Sequence, residues 1–514
     1  MIAAIIRGRT LLCVPFLLLA GVTSSWAQVP VTTWHYDNAR TGVNPKETIL
    51  TPQNVNSEKF GKLFTHSVDG AIIGQALYLP DIRIPGKGTH NVVYVATMHD
   101  SVYAFDADNH AGSNANPLWH TTFLVGGATT VPITLQGCEP TTKWTEVGIV
   151  STPVIDPVAG TLFVVAKTYE HYNFVNRLHA LNVATGLERA GSPVVITASY
   201  EFAGVNNIFK DAMQVNRPAL LLENGHIYIA FGSNGCRGGR EQGWVLSYDA
   251  STLQREGAFD DEPSGSAAAI WQRGGGLSSD SVGNIYGATA DGDFKPGTNF
   301  GQSVIKLSQV GNSLHLADWF TPFNQSYLET HDLDLSEPVL VLPYQAGPYP
   351  HLMVAIGKEG TIYLLNRDNL GHFCGSCTKD TQIVEELPAF APDTGALVYW
   401  NNAIYTSGAG SPIKVLGLNK GLLSRTAIAQ SKLTTQGHSP IISVDETTGA
   451  VFWQMSGQYL EAFDAKTLVK LSTSGQAPNG RDLLPAVPHF SNFVVANGKV
   501  YVGTNNSLVV YGLF

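Results

Sequence analysis

The chain runs to 514 residues, carries a formal net charge of −10, and is 14% charged with 52 glycines. That glycine-rich, charge-poor composition excludes a disordered chain and a long helical bundle, and suits a β-rich, turn-rich fold. No block of Lys or Arg occurs anywhere. There is thus no electrostatic footprint for nucleic acid or for an anionic membrane.

In chain order, the first element reads as a secretory leader over 1–27. Arg7 and Arg9 supply positive charge, Leu11 to Val22 is apolar, and Ser25-Trp26-Ala27 places small residues before Gln28. The competing reading is a membrane anchor, for which the apolar stretch is short of the roughly 18 residues a spanning helix needs. Cys13 lies inside the apolar stretch, which argues against lipid attachment. The expectation is a secreted or periplasmic protein with no membrane span after cleavage. Residues 28–57 form a polar, turn-rich lead-in expected to pack over one face. Glu58 to Val68 reads as a lone strand.

From there one phrase recurs eight times: a strand, a polar turn, and a second strand closing on a pattern like aromatic-Ala-aromatic-Asp. Val92 to Asp108, VVYVATMHDSVYAFDAD, is the clearest copy. The equivalent positions Tyr94, Phe163, Tyr228, Tyr286, Val354, Tyr405, Phe452 and Tyr501 fall 47 to 69 residues apart. Length alone suggests about three domains, but a repeat of roughly 40–50 residues is the period of a propeller blade. The fold class is therefore all-β: an eight-bladed propeller of four-stranded antiparallel blades over 58–514. The last unit, from about Pro488, has room for three strands, so the early strand completes it and closes the ring.

Several units open with a proline-marked strand: Pro153, Pro218, Pro338 and Pro440. Proline lacks an N–H and belongs at a strand's first residue. The innermost strands then place Gln75, Thr152, Arg217, Glu337, His438 and Ser439 around one channel mouth, a candidate small-ligand ring. The alternative is that these side chains only satisfy neighbouring blades and channel water.

Four cysteines follow the leader: Cys138, Cys236, Cys374 and Cys377. Four allow three pairings; Cys374-Gly-Ser-Cys377 reads as a structural disulfide rather than a redox or zinc motif. In the run His331 to Glu337, alternation puts Asp332 and Asp334 on one face. With no glycine turn to shape a calcium loop, a backbone-bonding role is favoured for them, and for Asp280, Asp291 and Asp293. No Gly-x-Ser-x-Gly elbow supports a hydrolase.

The repeats resemble the quinoprotein-like, or PQQ-like, family, whose unit ends in Ala-x-Asp-x-x-Thr-Gly-x-x-x-Trp. Ala180, Asn182, Thr185 and Gly186 match most of that pattern, with Ala190 in place of the Trp. Ala104-Phe-Asp106 and Ala462-Phe-Asp464 match its opening, and Trp119 is a candidate wedge after an insertion. The segments WHYDNARTG, EVGIVSTPVID, HDLDLSEPVLVLP and GKEGTIYLLNRDNLG are also similar to a group of secreted bacterial proteins with this fold. The resemblance implies two functional classes. One is a non-catalytic binding or scaffold protein of the envelope or the exterior. It would be a monomer whose partner is a protein, a peptide, a glycan or an anionic small molecule. The other is a PQQ-dependent alcohol or sugar dehydrogenase. That enzyme needs Ca²⁺, a base carboxylate, an aromatic platform and a cation for the quinone acids. Glu146, Glu337, Asp332 and Asp334 are its candidate carboxylates, Arg217 and Lys358 its cations, Trp400 and Trp453 its platforms. The adjacent cysteine pair of that class is missing, as is Cys-x-x-Cys-His. The first reading is therefore favoured, with no cofactor assigned.

Overall fold

The computed structural model describes residues 28–137, 144–233, 241–388, 394–445 and 449–514. The expected leader, Cys138, Cys236 and the side chain of His438 lie outside the described residues.

The recurring phrase has a local physical cause. Its closing Asp accepts from the backbone N–H groups of the turn that follows, as Asp106 does from Asp108 and Asn109, and Asp464 from Lys466 and Thr467. Such side-chain turns end a strand cleanly. The phrase's Tyr then reaches the residue after the Asp equivalent in the next repeat. Tyr94 donates to Val183 O, Tyr405 to Ala465 O and Tyr501 to Ala107 O, at 3.0 to 3.2 Å. At these junctions one side chain shapes the turn and another ties it to its neighbour.

These units build eight four-stranded blades in a ring. Blade 1 runs Leu77–Ile84, Gly88–Thr97, Ser101–Asp106 and Trp119–Thr122, from the axis outward. Blades 2 to 5 follow, with inner strands Val154–Asp156, Leu221–Glu223, Ser278–Ser279 and Leu340–Val341. Blade 6 begins at Val398–Trp400. The long run Ala429–Asp445 serves both its outer edge and the inner strand of blade 7, so the two share one sheet. Blade 8 contributes Phe493–Ala496, Lys499–Gly503 and Ser507–Leu513, and Phe60–Ser67 completes it by pairing antiparallel with the last of these. The ring therefore closes with strands from both ends of the described chain.

Most of the apolar core is a set of clusters shared by adjacent blades. Between blades 1 and 2, Tyr94, Val102 and Trp119 pack on Leu162, Val164 and Leu181. Trp119 is the wedge expected there: Nε1 donates to Val183 O at 2.9 Å, and its ring lies so close over Gly186 that a Cβ would sit 2.5 Å away.

The lead-in does more than pack over a face. Residues 31–44 thread the central channel and touch every blade. Val31 pairs with Tyr78, and Thr32 O accepts from Ile155 N. The carbonyls of Asn38, Ala39, Thr41 and Gly42 accept from Ser279, Val341, Tyr399 and Ile442 N–H. Asn38 Nδ2 donates to Leu222 O, and Tyr36 Oη exchanges hydrogen bonds with the backbone of Val495. Innermost strands have no neighbour on their channel side, so their N–H groups need partners. The segment supplies them, and Val43–Asn44 adds a parallel pair beside Ile442–Ser443. Winding past eight blades in so few residues forces left-handed backbone at His35, Tyr36 and Arg40.

Gly275 lies between this plug and the channel mouth. A Cβ there would meet Pro338 Cγ at 2.2 Å and Trp34 Cη2 at 2.8 Å. Gly275→Ala is expected to destabilise by about 1–3 kcal/mol through overpacking. Equilibrium urea unfolding measures it.

Candidate functional site

Inner strands run away from one end of the channel and the second strands run back toward it. Residues just before the former and just after the latter therefore meet at a single mouth. A cavity of about 430 Å³ opens there, beside blades 3, 4, 5 and 8.

Its cationic half centres on Arg217, which precedes blade 3. The guanidinium carbon lies 3.6 Å from the Phe490 ring centroid and 5.5 Å from that of Trp271. Nε is buried with no hydrogen-bond partner. Burial, and then the charge of Arg273, lower its pKa to about 9, while Glu337 acts the other way. Arg217 thus stays protonated at neutral pH. Trp271 and Arg273 come from a turn in which Gln272 and Arg273 both hold positive φ. Such strain persists only where the surroundings impose it, and it gathers at functional sites. Arg273 Nε sits 2.7 Å from Oε1 of the fully buried Glu337. Phe490 is anchored from below. Asn492 Nδ2 donates to its carbonyl, and Asn492 Oδ1 accepts from Trp34 Nε1 of the plug.

The acidic half holds Asp291, Asp332 and Asp334, with oxygens within 4.8 Å of one another. Lys358 Nζ lies 2.5 Å from both Asp332 and Asp334. Gln302 Nε2 donates to Asp334 at 3.1 Å. Burial, then the Asp334 charge, raise Asp291 to about 7.

Several residues singled out in the sequence meet here: Arg217, Glu337, Asp332, Asp334, Lys358 and Asp291. The aspartates bond mostly to side chains, not to the backbone turns expected of them. Gln75 and Thr152 lie deeper. Gln75 accepts from His35 N and donates to Thr33 O, and its own N–H donates to Thr152 Oγ1. Both serve the plug and the neighbouring blade. Ser439 holds a positive φ of 41° and is not among the residues lining the cavity. Glu146 is elsewhere, beside His99 and Thr130. Trp453 is buried and donates to Ser443; Trp400 packs near Tyr405. Neither is a platform at this mouth. Asp280 does take the backbone role expected of it, accepting from Val282 N and Asn284 N, and also pairs with Arg367 at 2.8 Å; Asp293 accepts from Ser266 N. Cys374 and Cys377 are joined by a disulfide, on the segment after the third strand of blade 5 and away from the cavity. Trp271, Arg273, His489 and Phe490 escaped the sequence reading; the one hint was a Trp before the glycine run 274–276.

Solved structures with this architecture include quinohemoprotein alcohol dehydrogenases. That of Comamonas testosteroni superposes with a TM-score of 0.62 at 13% identity, over 95% of this chain and 81% of the other. The ADHIIG enzyme of Pseudomonas putida HK5 gives 0.60 at 12% identity, over 94% and 80%. No family model and no curated protein matches the sequence. At such identities the likeness establishes the propeller fold alone.

PQQ with Ca²⁺ would need both halves of this mouth. Arg217 and its two aromatic neighbours suit a planar acid. The carboxylates do not suit the metal, because the ammonium of Lys358 already occupies the position between Asp332 and Asp334. The disulfide is not at the cavity. The residues present do not fit the pair.

Proposed function

We propose that this propeller is a non-catalytic binding protein that takes a small, planar, anionic ligand at the channel mouth. Arg217 carries the reading. Its guanidinium is stacked on an aromatic wall, faces a cavity, and keeps a buried Nε with no hydrogen-bond partner. A carboxylate accepts from such a fork through two charge-assisted hydrogen bonds. Trp271 and Phe490 give a planar ligand an aromatic surface, and Glu337 is held separately by Arg273. Export to the envelope or exterior belongs to the same proposal and rests on the sequence of residues 1–27.

Titration calorimetry with trimesate and with PQQ, each with and without Ca²⁺, tests it. Binding is expected without Ca²⁺. Arg217→Ala is expected to weaken it about tenfold to a hundredfold, the worth of a hydrogen bond to a charged group. Fold stability should fall by about 2 kcal/mol at most, the worth of the lost cation–π contacts. Clear unfolding with no ligand effect would mean that Arg217 is structural. Ca²⁺-dependent PQQ binding with alcohol-driven dye reduction would overturn this reading in favour of a quinoprotein dehydrogenase.

A further inference from the structure

A larger cavity lies on the outer rim, far from the channel mouth in the fold. Between blades 2 and 3 the chain inserts a hairpin, Ser199–Phe202 paired with Val205–Ile208, that forms a sheet of its own. It leans on the outer strand of blade 3, Arg255–Asp260. The outer strand of blade 4, Leu314–Phe320, lies alongside. A groove of about 650 Å³ runs between the three.

Consecutive residues of each strand border the groove: 199–202, 255–260 and 314–316. Alternate residues of a strand point to opposite faces, so an unbroken run means that strand edges are presented. Each of these strands pairs on one side only. Free edges offer N–H donors and C=O acceptors in alternation. Two half-buried rings of the hairpin, Tyr200 and Phe202, line the groove over a buried aromatic layer. Phe259 and Phe300 are buried with centroids 6.3 Å apart, and Tyr200 meets Phe259 edge-on at 6.1 Å. Charges near it are largely compensated. Glu256 lies 2.5 Å from His226, and Asp260 accepts from Gln242. Arg255 and Glu201, which both line it, carry opposite signs.

We propose that this groove binds a neutral saccharide chain. A hydroxyl is donor and acceptor at once, so a polyol matches rows that alternate the two. Sugar C–H faces can pack on the partly exposed rings of Tyr200 and Phe202, and balanced charge gives an ionic ligand no advantage. An extended peptide would also pair with an edge. To join hairpin and blade it must stand between them, which needs about 9.5 Å at normal strand spacing. Their Cα atoms approach within 8 Å. A saccharide lying across the edges needs no such gap.

Equilibrium binding of cellohexaose, xylohexaose, mannohexaose and chitohexaose to the full chain is the test, with an extended Thr/Val peptide beside them. At least one hexasaccharide should saturate. Tyr200→Ala should weaken that binding about tenfold or more, and Arg217→Ala should leave it unchanged. Phe202→Ala, in the same hairpin strand, gives the same expectation and decides the matter if Tyr200→Ala does not fold. Three results would each overturn the proposal: no saturable binding of any hexasaccharide at millimolar concentration, binding indifferent to both hairpin variants, or saturable binding of the peptide instead. The outcome is independent of the channel-mouth reading, because Arg217 takes no part.

Discussion

Arg40→Met is expected to destabilise this protein by about 3–5 kcal/mol, the cost of breaking a buried, charged hydrogen-bond network. Arg40 is the hub of the plug. Nε donates to Leu277 O of blade 4 at 2.8 Å. Nη1 donates to Thr33 Oγ1, Trp34 O and Asp37 O at 2.7 to 3.3 Å. The side chain is almost wholly buried, yet remains cationic at neutral pH, its pKa lowered by burial to about 10. Met keeps the volume but leaves these buried acceptors without a donor, which is why the loss is large. Lys recovers little, since one ammonium cannot reproduce a planar fork reaching two parts of the chain. Arg40 also holds positive φ, so Arg40→Gly separates two contributions. Glycine relieves the backbone strain and still loses every donor. If Arg40→Gly is as stable as the parent in denaturant titration, strain outweighs the network and the hub account is wrong.

The ring was legible in the sequence because each repeat carries its own physics. The strand–turn–strand phrase recurs at eight places, and an Asp or Asn that shapes the turn (Asp106, Asn182, Asp249, Asn366, Asp464) or a Tyr that ties it to the next blade (Tyr94, Tyr405, Tyr501) marks enough of them for the copies to be counted and closure by the early strand to follow. The plug left no such trace. Its contacts to the blades run mainly through main-chain carbonyls of Thr32, Asn38, Ala39, Thr41 and Gly42, which any residue possesses. A single segment that meets each blade once has no period to detect. Of the residues expected to ring one channel mouth, Gln75, Thr152, Glu337 and Arg217 lie at mixed depth, and register explains the mixture. Gln75 and Thr152 each lie three residues before a plug-bonded position, Tyr78 and Ile155. Glu337 and Arg217 lie four and five residues before theirs, Val341 and Leu222. One or two residues separate a side chain facing the plug from one at the cavity. His489 and Phe490 sit in an irregular stretch where no pattern fixes direction.

Acid should act on the same plug through His35. Its ring lies flat on Trp34, with centroids 3.6 Å apart, and neither ring nitrogen has a hydrogen-bond partner. Burial, and then the Arg40 charge, lower its pKa to about 3. The unfolded chain, with an ordinary value near 6.5, binds a proton at His35 that the folded chain refuses. The sign follows from linkage: the contribution is complete above about pH 6.5 and is lost as pH falls toward 3. At pH 3 the loss approaches about 5 kcal/mol. His66 works in the same direction, lowered to about 4 by burial and then by His110, whose Nδ1 lies 3.3 Å away across the closing seam. Buried carboxylates oppose both. Asp100, Asp261 and Glu262 are raised chiefly by burial, so they favour the folded state as pH falls. Total stability against pH therefore mixes signs, and a difference between two proteins isolates His35. His35→Phe keeps the stack on Trp34 and the backbone N–H to Gln75. Its stability relative to the parent is expected to rise by about 5 kcal/mol between pH 7 and pH 3, from parallel urea titrations. A difference that stays flat across that range would show that His35 is protonated in the folded plug, and with it that the plug admits water.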